Sequence, residues 1–146
     1  WRDWSSDVCS SDLVKLRSDN EQAARLVMSV LKIDIRGTPF AGLVIETDNG
    51  GVCGAVVFND FSNGNIEMTG VGQGCWTPYV IRELARYVFK YLDCTRVTAR
   101  TAVSNHKARA ALRALGFRQE GRVREWFKGE DAILYGLLRR EQRIYR

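Results

Sequence analysis

Two hydrophobic periods alternate along this chain. Ser18 followed by Glu21 is a capping-box pattern, and Ala23, Leu26, Val27 and Val30 follow at helical spacing, which predicts an amphipathic helix over residues 19–32. Three β-type runs come next, at 40–46, 52–58 and 66–71. Asp48-Asn49-Gly50-Gly51 and Ser62-Asn63-Gly64-Asn65 separate them, and Asn-Gly pairs between apolar runs signal hairpins, so the segment predicts an antiparallel meander. From Ile81 the period changes: Leu84, Ala85, Val88, Phe89 and Leu92 share one helical face. Residues 96–103 alternate as a strand. Asn105 then opens a helix carrying Ala108, Ala111, Leu112 and Leu115, which Gly116 stops at its C′ position. Strands over 117–127 and 132–138 close the chain around Lys128-Gly129-Glu130-Asp131.

A strand-helix-strand order implies a parallel pair joined by a right-handed crossover. The expected fold class is therefore α/β, a mixed α+β sheet with helices on both faces. Its order is an antiparallel meander, then β-α-β-α, then a closing β-hairpin. Residues 1–13, WRDWSSDVCSSDL, repeat Ser-Ser-Asp with no helical or strand period, and read as a non-native or disordered leader. One domain is expected over 14–146, with an N-terminal strand open to truncation.

Composition narrows the function classes. Of 146 residues, 45% are apolar and 27% charged, as in soluble globular proteins, and no apolar run approaches the ~20 residues of a membrane span. A cytoplasmic protein without a membrane partner is the expectation. The net charge of +5 suits a polyanionic ligand or nucleic acid, or simply a basic solvated surface. Cys9, Cys53, Cys75 and Cys94 form no Cys-x-x-Cys pair and His106 is the sole histidine, so no metal site is expected.

Chemistry is first suggested by GVGQGCWTPYV, residues 70–80, a glycine-rich strand end leading into a helix. It lacks the Lys-Ser/Thr of a P-loop and, with Cys75 in place, the third glycine of a dinucleotide fingerprint. Pro78 suits a first helical turn, and free N–H groups with the positive dipole end at residues 76–79 make an anion site. The alternative is a turn that holds no ligand.

The block from Asn105 through Ala108, Leu112, Gly116-Phe117 and Glu120-Gly121 to Arg124 resembles the C-terminal half of the GCN5-related N-acetyltransferase (GNAT) superfamily, and the segments around Val56, Asn65 and Tyr135 resemble its small bacterial and phage members. The resemblance implies an acyl-CoA N-acyltransferase fold with splayed fourth and fifth strands. It implies acetyl-CoA as cosubstrate and a primary amine as acceptor, attacked directly and without metal. Cofactor contacts would fall on Thr69, Val71, Gly72, Gly74, Trp76, Thr77, Tyr79, Asn105 and Arg109. The usual pyrophosphate signature is absent, which leaves more to the Thr77 hydroxyl and backbone N–H groups. Trp76 reads either as a cover for the cofactor or as a packing plug, and Lys107, Arg109 and Arg113 as phosphate contacts or solvated charges.

Direct attack needs a proton acceptor and a proton donor, with backbone N–H groups of the fourth strand stabilising the oxyanion. The tyrosine that the family often uses as donor is replaced by Leu112. Tyr79, Ser104 and Tyr135 are the candidates left, besides water. Glu67 is the candidate base, on the strand face shared with Thr69 and Val71; its competing reading is a carboxylate that is solvated or paired across strands. Two other classes remain: a catalytically silent acyl-CoA-binding protein, and a nucleic-acid-binding domain, which lacks both an aromatic RNA-binding sheet and a helix-turn-helix signal. A homodimer is the assembly to test for.

Overall fold

The computed structural model describes residues 14–72 and 74–145. Seven strands form one sheet in the order β1-β2-β3-β4-β5-β7-β6. They are β1 (Val14–Ser18), β2 (Phe40–Thr47), β3 (Val52–Ser62), β4 (Asn65–Gly72), β5 (Arg96–Ala102), β6 (Arg118–Phe127) and β7 (Glu130–Leu138). Helix α1 (Asn20–Leu31) lies between β1 and β2, and α2 (Pro78–Arg86) between β4 and β5. Helix α3 (His106–Ala114) joins β5 to β6. Only β4 and β5 pair in parallel; the other neighbouring strands are antiparallel.

The expected order holds, with local differences. A strand precedes the first helix: β1 pairs with β2, and Ser18 sits opposite Leu43 in that ladder. Ser18 is therefore strand backbone, and the cap passes to Asp19, whose carboxylate accepts from Gln22 N–H at 3.0 Å. β3 outruns its predicted end through an irregularity between Asn59 and Ser62, where Asp60 takes φ 52°. Helix α2 loosens into a π-helical turn over Tyr87–Tyr91. The closing hairpin is tighter than expected, with Phe127 paired to Glu130 across Lys128 and Gly129. The leader at 1–13 lies outside the described residues.

Strand alternation separates two cores. One face packs Ile45, Val56, Ile66, Met68 and Val97 beneath Val80 and Leu84 of α2, Val88 of the π-helical turn and Ala108 and Leu112 of α3. The other packs Val44, Ala55, Val57 and Val71 beneath Ala23, Ala24 and Val27 of α1. A fully buried Val or Leu contributes ~2 kcal/mol, so the larger cluster dominates cohesion. The helices thus lie on both faces, as expected.

Candidate active site

β4 and β5 are joined only at their beginnings. The parallel register runs Asn65↔Arg96, Ile66↔Val97 and Glu67↔Thr98, and then stops. β4 continues to Gly72, still paired with β3 as far as Gly54↔Gly72, while β5 continues along β7. Beyond Glu67 the β5-facing edge of β4 has no strand partner among the described residues. Main-chain donors and acceptors left at such an edge favour pairing with an extended ligand.

Glu67 stands at the fork. Its side chain, 12% exposed, is ion-paired with Nη1 of Arg100 on β5, so the cross-strand pair weighed from sequence is present. The Arg100 guanidinium also stacks on Trp126, 4.3 Å from the ring centroid. Its Nε is buried without a hydrogen-bond partner. Burial lowers the Arg100 pKa, with the nearby charge of Asp60 opposing the shift.

The loop after β4 is packed by its own side chains. Trp76, 4% exposed, donates from Nε1 to the Gly72 carbonyl at 3.1 Å and belongs to the larger core. Thr77 is fully buried and caps α2, its hydroxyl accepting from Val80 N–H at 3.1 Å. The hydroxyl that the resemblance assigns to a phosphate serves here as the acceptor in the helix cap. Gly72 is required by crowding: a Cβ there would lie 2.7 Å from Gly54 Cα and 2.8 Å from the Cys53 carbonyl, at φ 142°. Cys75 fills the gap between Gly54 and Gly72, and burial, then the Cys53 thiol, push its pKa well up. Val71 is fully buried beneath α1, so its backbone, not its side chain, borders the fork. Thr69 is half-buried on the same unpaired stretch.

Outside this loop, a groove of about 570 Å³ runs between the start of α2 and the end of α3, lined by Trp76, Pro78, Arg82, Arg118 and Arg143 among others. Arg118 is paired with Glu141; Arg82 and Arg143 have no ion-pair partner among the described residues. Helix α2 has no acidic residue in its first turn. This end of the molecule suits anions. Tyr79 points to solvent, 45% exposed, and lines neither this groove nor the cleft described next.

The second strand-to-helix connection lies on the face that carries α1. A cleft of about 450 Å³ is lined by Leu31, Arg100, Ser104, Lys107, Lys128 and Glu130, with Asn105 at its edge. Ser104 donates from Oγ to Glu130 Oε1 at 2.8 Å. Asn105 caps α3, its Oδ1 accepting from Ala108 N–H at 3.1 Å. Arg109 donates to the Tyr135 hydroxyl at 3.2 Å and to the Val103 carbonyl at 2.9 Å, and Tyr135 is fully buried. Arg109 thus links α3 to β7 and to the turn after β5, at a position for which the sequence left phosphate contact and solvated charge both open. Leu112 is wholly buried in the core. Among the described residues no three His, Cys, Asp or Glu side chains gather as a metal group.

The structure therefore places Ser104 and Asn105 in this cleft and Glu67 at the fork, linked to the cleft through Arg100, while Gly72 to Thr77 form the other connection and Tyr79 stands apart. The sequence reading missed Arg100 and Glu130. An arginine in the middle of an interior strand was the available signal, because a buried cation there requires a partner. Glu130 read only as a turn residue.

An open parallel fork inside a mixed sheet covered by helices on both faces defines the architecture of an acyl-CoA N-acyltransferase. The chain belongs to the acetyltransferase (GNAT) domain family, which it matches over residues 4–118. It is 32% identical over 113 residues to the "Putative ribosomal N-acetyltransferase YdaF" of Bacillus subtilis (strain 168), covering 69% of this chain. This chain spans 60% of the length of that relative. The fold is shared with spermidine/spermine N-acetyltransferase SpeG from Vibrio cholerae, crystallised with manganese, at 17% identity, TM-score 0.73, and 88% and 94% coverage of the two chains. A probable acetyltransferase superposes with TM-score 0.70 at 21% identity over 91% and 97%.

Proposed function

We propose that this protein transfers the acetyl group of acetyl-CoA to a primary amine. The observation that carries this reading is the loss of β4–β5 pairing after Glu67, which leaves an extended main-chain edge between two grooves. The residues fit the cosubstrate: the free edge of Thr69 to Gly72 would pair with the pantetheine amides, while the start of α2, with Arg82 and Arg143, would hold the phosphates. Acetyl-CoA supplies an activated thioester, whose C–S bond breaks as the N–C bond forms, one proton leaving nitrogen and one reaching sulfur.

Glu67 would accept the nitrogen's proton. Arg100 fixes the orientation of its carboxylate, and unpaired cations in the cleft favour a neutral amine over an ammonium. Ser104, hydrogen-bonded to Glu130 at the cleft, can relay a proton; Tyr79 has no comparable position. Asn105 and Arg109 support the site by shaping the start of α3, and Trp76 and Thr77 by fixing the loop that presents its N–H groups. A homodimer, a cytoplasmic setting and independence from nucleic acid are parts of the same proposal.

A second reading, a silent acyl-CoA-binding protein, is favoured by one observation: Leu112 fills the position of the family's tyrosine and is buried. Titration calorimetry with acetyl-CoA, followed by thiol release over an amine panel, separates the two. Binding with turnover supports the enzyme, and binding without turnover supports the silent protein. No binding at millimolar cosubstrate rejects both.

A further inference from the structure

The charges of the α1-side cleft are unequal in a way that selects among amines. Glu130, which lines it, is bonded to Ser104, and Glu67, beside it, is paired with Arg100; the charge of Asp60 also acts on Arg100, but Asp60 does not line the cleft. Its cations are less satisfied. Lys107 and Lys128 are exposed and make no ion pair or side-chain hydrogen bond among the described residues, and Arg100 keeps a buried Nε without a partner. Helix α3 also directs its N-terminal end here, with no acidic residue in its first turn, adding positive potential. Opposed surplus cations repel a second ammonium group and attract an anion.

Resting on the acetyltransferase reading above, we propose that the acceptor is an amine carrying an anionic group, a carboxylate or phosphate close to the nitrogen, and not a polyamine. The anion would lie against Lys107 and Lys128, with Arg100, paired to Glu67, between them and the fork. Lys128 sits on the two-residue turn of the β6–β7 hairpin and Lys107 in the first turn of α3, so the two approach the cleft from separate elements. Spermidine, whose charges are all positive, would place its second and third cations against the lysines.

The test compares amines that differ by one anionic group: lysine against cadaverine, and phosphoethanolamine against ethanolamine, with spermidine as the polycation. Titration with acetyl-CoA comes first, since absent binding would overturn the acetyltransferase reading and this proposal together. With binding established, at least a tenfold higher kcat/KM for the anionic member of either pair is expected, and which pair responds identifies carboxylate or phosphate. The double variant Lys107→Glu, Lys128→Glu should remove or invert that preference. Equal or better use of cadaverine and spermidine by the native protein would overturn the proposal while leaving the acetyltransferase intact, as would an anionic preference that survives the double variant. If no amine turns over, calorimetry on the CoA-loaded protein decides: binding of lysine or phosphoethanolamine but not of cadaverine supports the proposal, and the reverse, or no binding, overturns it.

Discussion

The two connections that follow the parallel strands occupy equivalent places in the topology and are built in opposite ways. Between β4 and α2, Cys75, Trp76 and Thr77 all turn inward, with exposures of 0%, 4% and 0%. That loop has little side chain to offer a ligand. Its resources are the glycine-lined backbone and the helix terminus. Between β5 and α3, Ser104 is exposed and bonded to Glu130 of β7, and Lys107 and Arg100 stand close by. That loop works through side chains. The difference teaches that a ligand common to many proteins can be held by main chain, whereas selection of an acceptor falls to side chains that can vary without disturbing the fold.

The comparison can be broken first at the fork. Glu67→Gln should lower acetyl transfer by about 100- to 10,000-fold, the usual span for a general base, with the acetyl-CoA dissociation constant nearly unchanged. Thiol-release kinetics beside calorimetry would show it, and an unaltered rate would remove Glu67 from the mechanism. Next is the backbone loop: Gly72→Val forces a Cβ into Gly54 and Cys53 at a disfavoured φ, and should cost about 2–4 kcal/mol in urea unfolding. If stability holds, the packing account of this glycine fails.

A smaller effect separates capping from catalysis. Thr77→Val removes the cap of α2 and should cost about 1 kcal/mol; turnover at saturating acetyl-CoA should survive in the folded fraction. A loss of kcat far beyond the loss of stability would return Thr77 to the chemistry. The smallest effect lies at the closed end of the fork. The hydrogen bond from Arg96 holds the Glu120 pKa below its usual value, against a smaller burial effect. The stability this contributes is present above the ordinary glutamate value and is lost as pH falls through the depressed one. Glu120→Gln should therefore flatten the fall in stability below about pH 4.5, while an unchanged slope would show that the pair adds nothing.

Much of the fold was legible because its signals are local. Asn-Gly turns, the change from period 2 to period 3.6 at Ile81, and Gly116 ending α3 each act through neighbouring residues. Ser18 and Asp19 show the limit: both are capping types, and only the pairing of Ser18 with Leu43 decides between them. The fork is less legible still. Residues 66–71 and 97–103 read as parallel neighbours, yet nothing in their periodicity marks Glu67 as the last paired position; the splay came from family resemblance. Non-local partners such as Arg100 with Glu67, or Arg109 with Tyr135, depend on register and helix placement. Of the proposed site, Glu67, Ser104, the β4 edge and Lys107 as an anion contact could be anticipated, while the meeting of Lys107 with Arg100 and Lys128 in one cleft depends on how β5, α3 and the last hairpin come together.

The claim that main chain on one side of the fork holds acetyl-CoA, while side chains on the other hold the acceptor, is tested most directly by hydrogen–deuterium exchange with and without acetyl-CoA. The account predicts slowed exchange at the amides of residues 69–72, 75–77 and 79, with residues 103–107 and 128–130 little changed until an amine is added. Protection confined to 103–107 and 128–130, with β4 unaffected, would contradict it.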